Sequence, residues 1–64
     1  MTPSEDLLQR VRAEYLEMPG LLLTAAQVQR LCGIEPTMCQ LVLNALVTTQ
    51  FLRVKSDGRY ARWM

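Results

Sequence analysis

Apolar residues recur at helical spacing through the first eighteen positions. Leu7, Leu8, Val11, Tyr15 and Met18 fall on one face, while Arg10, Glu14 and Glu17 look away from it. Thr2 as cap, Pro3 at the first helical position and Glu5 completing a capping box predict a helix over residues 3–18, ended by Pro19-Gly20. Asp6–Arg10 and Arg10–Glu14 are spaced for i,i+4 pairing along it. Leu21-Leu22-Leu23 is too short for a helix and reads as an extended segment with Leu21 and Leu23 on the same side. Thr24 and Gln27 form a second capping box. It opens a helix through Ala25, Ala26, Val28, Leu31 and Cys32 that Gly33 closes in a left-handed conformation, with Ile34 buried in the turn.

Glu35-Pro36 opens a third helix that runs to about Thr49. Cys39, Val42, Leu43 and Leu46 point one way on its wheel. Thr37, Leu41, Asn44 and Thr48 point the other, flanked by Gln40 and Ala45. Gln50 stands where a closing glycine belongs. Phe51 to Lys55 alternates, Ser56-Asp57-Gly58 is a turn, and Arg59 to Trp63 alternates back, which predicts a hairpin. Its register sets Leu52, Val54, Tyr60 and Trp63 at or near the core and the basic residues outward.

The second helix is too short to bury its apolar stripe alone, so it must cross the third on the Gly33-Ile34 turn, which is helix-turn-helix geometry. A lone hairpin is marginal in water, so pairing with Leu21–Leu23 is expected to make a three-stranded sheet. The fold class is mainly α with a small β-sheet: one winged helix-turn-helix domain, three helices plus a C-terminal β-hairpin wing, over residues 1–64. The chain resembles the DNA-binding domain of the isocitrate lyase regulator family of bacterial transcription regulators. The matching residues are Leu23-Thr24, Leu31, Gly33-Ile34, Thr37, Leu43, Leu46, Phe51-Leu52 and Asp57-Gly58-Arg59-Tyr60, spread over residues 21–62. The resemblance implies that the third helix enters a DNA major groove and that the wing lies on flanking backbone or minor groove.

Charge sharpens that expectation. The net charge is only +1, yet residues 1–24 carry −2, residues 25–50 none, and residues 51–64 carry +3. The basic end is the candidate footprint for a polyanion. Residues 36–50 contain neither Arg nor Lys, so phosphate contacts would fall to Arg53, Lys55, Arg59 and Arg62 of the wing, helped by Arg30. Gln40 or Asn44 suits bidentate bonding to adenine, and Thr37 or Leu41 suits contact with a thymine methyl. Double-stranded DNA is the expected partner, and a dimer would double the phosphate contacts.

Other classes stand beside it. Met38 and Leu41 on the third helix, or Ala13 and Leu16 on the first, offer apolar patches for a protein partner or a homodimer without DNA binding. A solvated hairpin whose charges merely protect its edge is the plainest account of the wing. With no histidine and only Cys32 and Cys39, both at apolar helix positions, the chain suggests buried thiols and no metal. No nucleophile–base pairing, glycine-rich phosphate loop, cofactor or small-molecule ligand is implied, so an enzyme is not expected. The acidic start lacks the layout of a secretory signal and no run is long enough to span a membrane, which makes the cytoplasm the expected location.

Overall fold

A computed structural model of the chain describes residues 3–63. Three helices, α1 (Glu5–Glu17), α2 (Ala25–Cys32) and α3 (Pro36–Thr48), precede an antiparallel hairpin of β1 (Leu52–Val54) and β2 (Tyr60–Arg62). This is the winged-helix arrangement the pattern predicts.

The helix ends show why the chain breaks where it does. Thr24 Oγ1 accepts from the Gln27 N–H at 3.2 Å while Gln27 Oε1 accepts from the Thr24 N–H at 2.9 Å, the reciprocal box read from the sequence. Gly33 takes φ 63°, and the Ile34 N–H reaches back to the Gln29 carbonyl, closing α2. The chain then bends by 113° into α3, within the range of helix-turn-helix pairs. Gln50 repeats the closure at the end of α3: its φ is also 63°, and the Phe51 N–H donates to the Leu46 carbonyl at 2.9 Å. The N-terminus differs from expectation. α1 starts at Glu5 with Ser4 as its N-cap, so Pro3 lies outside the helix, and Thr2 falls outside the described residues. The Ser4 side chain makes no capping bond; its carbonyl accepts the first helical bond, from Leu8.

The core joins all three helices to the hairpin. Val11 and Tyr15 of α1, Val28 and Cys32 of α2, and Cys39, Val42, Leu43 and Leu46 of α3 pack with Leu52 and Tyr60. Both cysteines are buried and free; burial pushes their thiols up, which keeps them protonated as small apolar fillers. No single helix among the described residues is long and apolar enough to cross a membrane, and the apolar faces of α2 and α3 are spent on this core.

Leu23 joins β2 through a two-bond bridge to Tyr60, with the Tyr60 N–H donating to Leu23 O at 2.7 Å and the Leu23 N–H to Tyr60 O at 3.3 Å. The expected third strand is thus reduced to one bridged pair. Leu21 and Leu23 both pack against the core, as their shared side predicts. Tyr15, fully buried, donates its hydroxyl to the same Tyr60 carbonyl at 2.8 Å and so ties α1 to the sheet.

Several expected core positions lie at the surface instead. Met18 is exposed at the C-cap of α1, and Leu31 is exposed because α2 turns Val28 and Cys32 inward. Val54 is exposed next to the hairpin turn, Trp63 is exposed because the register sets it with Arg53 on the face turned away from the helices, and Ala61 on that face is buried. Neither ion pair expected along α1 forms; among the described residues only Arg59 and Asp57 come within ion-pair distance, at 3.6 Å.

Two measurements check this account. Gln50→Gly relieves a left-handed conformation that strains a side chain, offset by the entropy of a more flexible unfolded chain. It should raise stability by about 0.5–1 kcal/mol in urea denaturation; a loss would contradict the strained closure. Tyr15→Phe should cost about 1–2 kcal/mol near neutral pH. Burial pushes the Tyr15 hydroxyl up to about 12 from an ordinary 10, with the Leu23 N–H opposing and Tyr60 adding to the rise. Above pH 10 the unfolded tyrosine releases its proton while the folded one keeps it. The advantage of the native residue should therefore shrink as pH climbs from about 10 to 12. A gap between the two proteins that ignores pH over that window would refute the assignment.

Candidate nucleic-acid interface

α3 presents a polar strip because its apolar residues are used inward at every turn. Thr37, Gln40 and Asn44 are exposed, and none of the three is drawn into the core. Leu41 is half-buried, and Met38 packs against the core, so α3 does not display the apolar patch that its sequence allowed. Gln40 Nε2 donates to Asn44 Oδ1 at 2.8 Å and to the Tyr60 hydroxyl at 3.4 Å. The first bond locks two amides one helical turn apart. The second joins the strip to the wing, since Tyr60 opens β2 directly after the turn.

The wing positions its cations by register. Leu52 lies opposite Arg62, Arg53 opposite Ala61 and Val54 opposite Tyr60. Cross-strand partners share a face, so Leu52, Val54, Tyr60 and Arg62 lie on the helix-facing side and Arg53 with Ala61 on the outer one. The Lys55 N–H donates to the Arg59 carbonyl at 2.8 Å and closes the Ser56-Asp57-Gly58 turn, where Gly58 takes φ 86°. Asp57 accepts from the Arg59 N–H at 3.0 Å and pairs with its guanidinium, so the tip is braced and part of the Arg59 charge is screened.

The four wing cations therefore do not form one patch. Lys55 and Arg59 flank the tip, and the pleat sets Lys55 with Arg53 on the outer face, opposite the side on which Tyr60 meets Gln40. Arg53 lies with its guanidinium 5.9 Å from the Trp63 ring centre. Arg62 does not point outward: it is half-buried, its guanidinium 4.3 Å from the Phe51 ring centre, with Arg12 of α1 at 5.1 Å from the same ring. Its place opposite the fully buried Leu52 puts it there. Arg30 on α2 is exposed.

The residue missed by sequence reasoning is Tyr60, whose hydroxyl bonds the strip while its backbone holds Leu23. A buried tyrosine ordinarily finds a partner for its hydroxyl, and that rule was the available signal. Among the described residues no three Cys, Asp or Glu side chains are grouped to hold a metal.

Comparison with protein-family models, with curated proteins and with solved structures finds no match to this chain.

If the Gln40–Asn44 pair is displayed for recognition and not for stability, Gln40→Ala should change the unfolding free energy by less than about 0.5 kcal/mol, as for other exposed positions. A loss of several times that in thermal or urea unfolding would make the pair a structural clamp.

Proposed function

We propose that this winged helix is a non-catalytic, sequence-specific DNA-binding domain of a cytoplasmic transcription regulator. α3 enters the major groove and the wing tip lies on flanking backbone. The observation that carries this reading is the continuity of Gln40, Asn44 and Tyr60. An amide pair suited to base edges is joined through one hydroxyl to a hairpin tip bearing Lys55 and Arg59. Thr37, one turn before Gln40 and exposed, extends the strip toward the start of α3, the end that helix-turn-helix proteins insert. Leu41 contributes only its half-exposed edge to a thymine methyl.

Affinity per copy is modest under this reading. Arg53, Lys55 and Arg59, with Arg30, supply three or four phosphate contacts, and Arg62 is occupied against Phe51. Binding to two half-sites by a dimer is the natural remedy. The exposed Leu16 and Met18 of α1, 59% and 56% accessible, favour α1 over α3 as the surface for self-association or another protein partner.

Titration of labelled random duplex DNA at several salt concentrations tests the proposal. The logarithm of affinity should fall with the logarithm of salt at a slope of about −3 to −4 for one copy. Alanine at both Lys55 and Arg59 should shallow that slope by about 2. Absence of binding at low salt sinks the reading.

A further inference from the structure

The bridge between Leu23 and Tyr60 lays the Leu21–Leu23 segment beside β2, and the pleat then sends Leu22 to the outer face with Ala61 and Arg53. These three stand in one row across the sheet. Ala61 is the smallest and most buried of them, so the row dips at its centre. The dip is a shallow groove of about 180 Å³, lined by Pro19, Leu22 and Ala61 together with Arg53, Lys55 and Arg62, the last of which turns its guanidinium onto Phe51. Among the described residues no carboxylate lies within ion-pair distance of those three cations.

We propose that this groove docks an acidic peptide segment of a partner protein, one apolar side chain seated over Ala61 and carboxylates flanking it toward Arg53 and Lys55. Size and charge lead to that occupant. The groove is smaller than the roughly 300–1,000 Å³ of small-molecule pockets, yet it has room for a single aliphatic side chain. A duplex backbone would set phosphates over Leu22, Pro19 and Ala61, leaving apolar area unused and anions away from cations. An acidic segment with one aliphatic anchor satisfies both the floor and the border. Two of the chain's exposed large hydrophobic residues adjoin it: Met18 precedes Pro19, and Trp63 follows Arg62 and lies beside Arg53. The proposal goes beyond DNA binding and stands without it, because the floor residues belong to neither α3 nor the wing tip.

Trp63 is the sole tryptophan and supplies the readout. The full chain is titrated with the blocked peptide Glu-Asp-Leu-Leu-Asp-Glu while its emission is followed. Controls are Glu-Asp-Ser-Ser-Asp-Glu, Gln-Asn-Leu-Leu-Asn-Gln and a single-stranded oligonucleotide. A saturable change is expected with the first peptide, weaker by about tenfold or more when the leucines are withdrawn and weakened by salt when they are present. Leu22→Ser, which withdraws the apolar floor without changing charge, should weaken that change by about tenfold while leaving duplex-DNA affinity intact, which separates this proposal from the previous one. Should Leu22→Ser fail to fold by circular dichroism, Leu22→Ala carries the same test. Equal binding of the uncharged peptide, saturation by the oligonucleotide but not the peptide, or no saturation by the peptide each overturns the proposal.

Discussion

The carbonyl of Tyr60 carries more of this fold than any other polar atom. It accepts the Tyr15 hydroxyl at 2.8 Å and the Leu23 N–H at 3.3 Å, using both lone pairs on elements far apart in sequence. A three-residue strand pair is too short to stand alone in water. Here α1 is anchored onto it by a phenol buried among apolar neighbours, where an unpaired hydroxyl or carbonyl would be costly. The ring of Tyr60 fills the core beside Leu52, and its own hydroxyl emerges under Gln40. One residue thereby fixes the orientation of the wing relative to both α1 and the exposed strip of α3.

That arrangement explains which parts of the molecule were legible in the sequence. Thr24 with Gln27, Gly33 and Gln50 were readable because capping is decided within a few residues of chain. The inward faces of α3 and the midpoint of the hairpin turn were readable for the same reason. Met18, Leu31 and Val54 were misplaced because periodicity says which side a residue takes, not whether anything covers that side, whereas Trp63 follows Arg62 onto the opposite face. Covering is set by non-local packing: Leu22 lies beside Ala61 only because Leu23 pairs with Tyr60, thirty-seven positions away.

Arg62 sits between these cases. The turn centred on Asp57 pairs Lys55 with Arg59 and hence Leu52 with Arg62, so the strand register alone sets Arg62 on the side of a core leucine. Its long aliphatic stem tolerates that position, and the guanidinium escapes over Phe51 instead of entering the apolar interior. Counting it among outward cations rested on charge and overlooked that tolerance. The Tyr60–Gln40 contact was beyond such reasoning, since it depends on the 113° bend that brings α3 over the hairpin.

Charge also limits what any polyanionic partner can draw from this chain. The acidic residues concentrate in α1 and the basic ones in the hairpin, for a net charge of only +1. Such a molecule is turned by a negative field so that its hairpin leads, but it is not held strongly once it arrives. With Arg59 partly neutralised by Asp57 and Arg62 stacked on Phe51, discrimination has to come from uncharged surfaces beside the cations. Two such surfaces exist on this sheet and its neighbour helix, and they differ in kind. The amides of Gln40 and Asn44 offer directional hydrogen bonds, matched to base edges. Leu22 and Ala61 offer a dry floor, matched to an aliphatic side chain. Lys55 lines the groove and also flanks the wing tip, so an acidic segment in the groove and a phosphate at the tip would compete for one ammonium group, and occupancy of either would weaken the other.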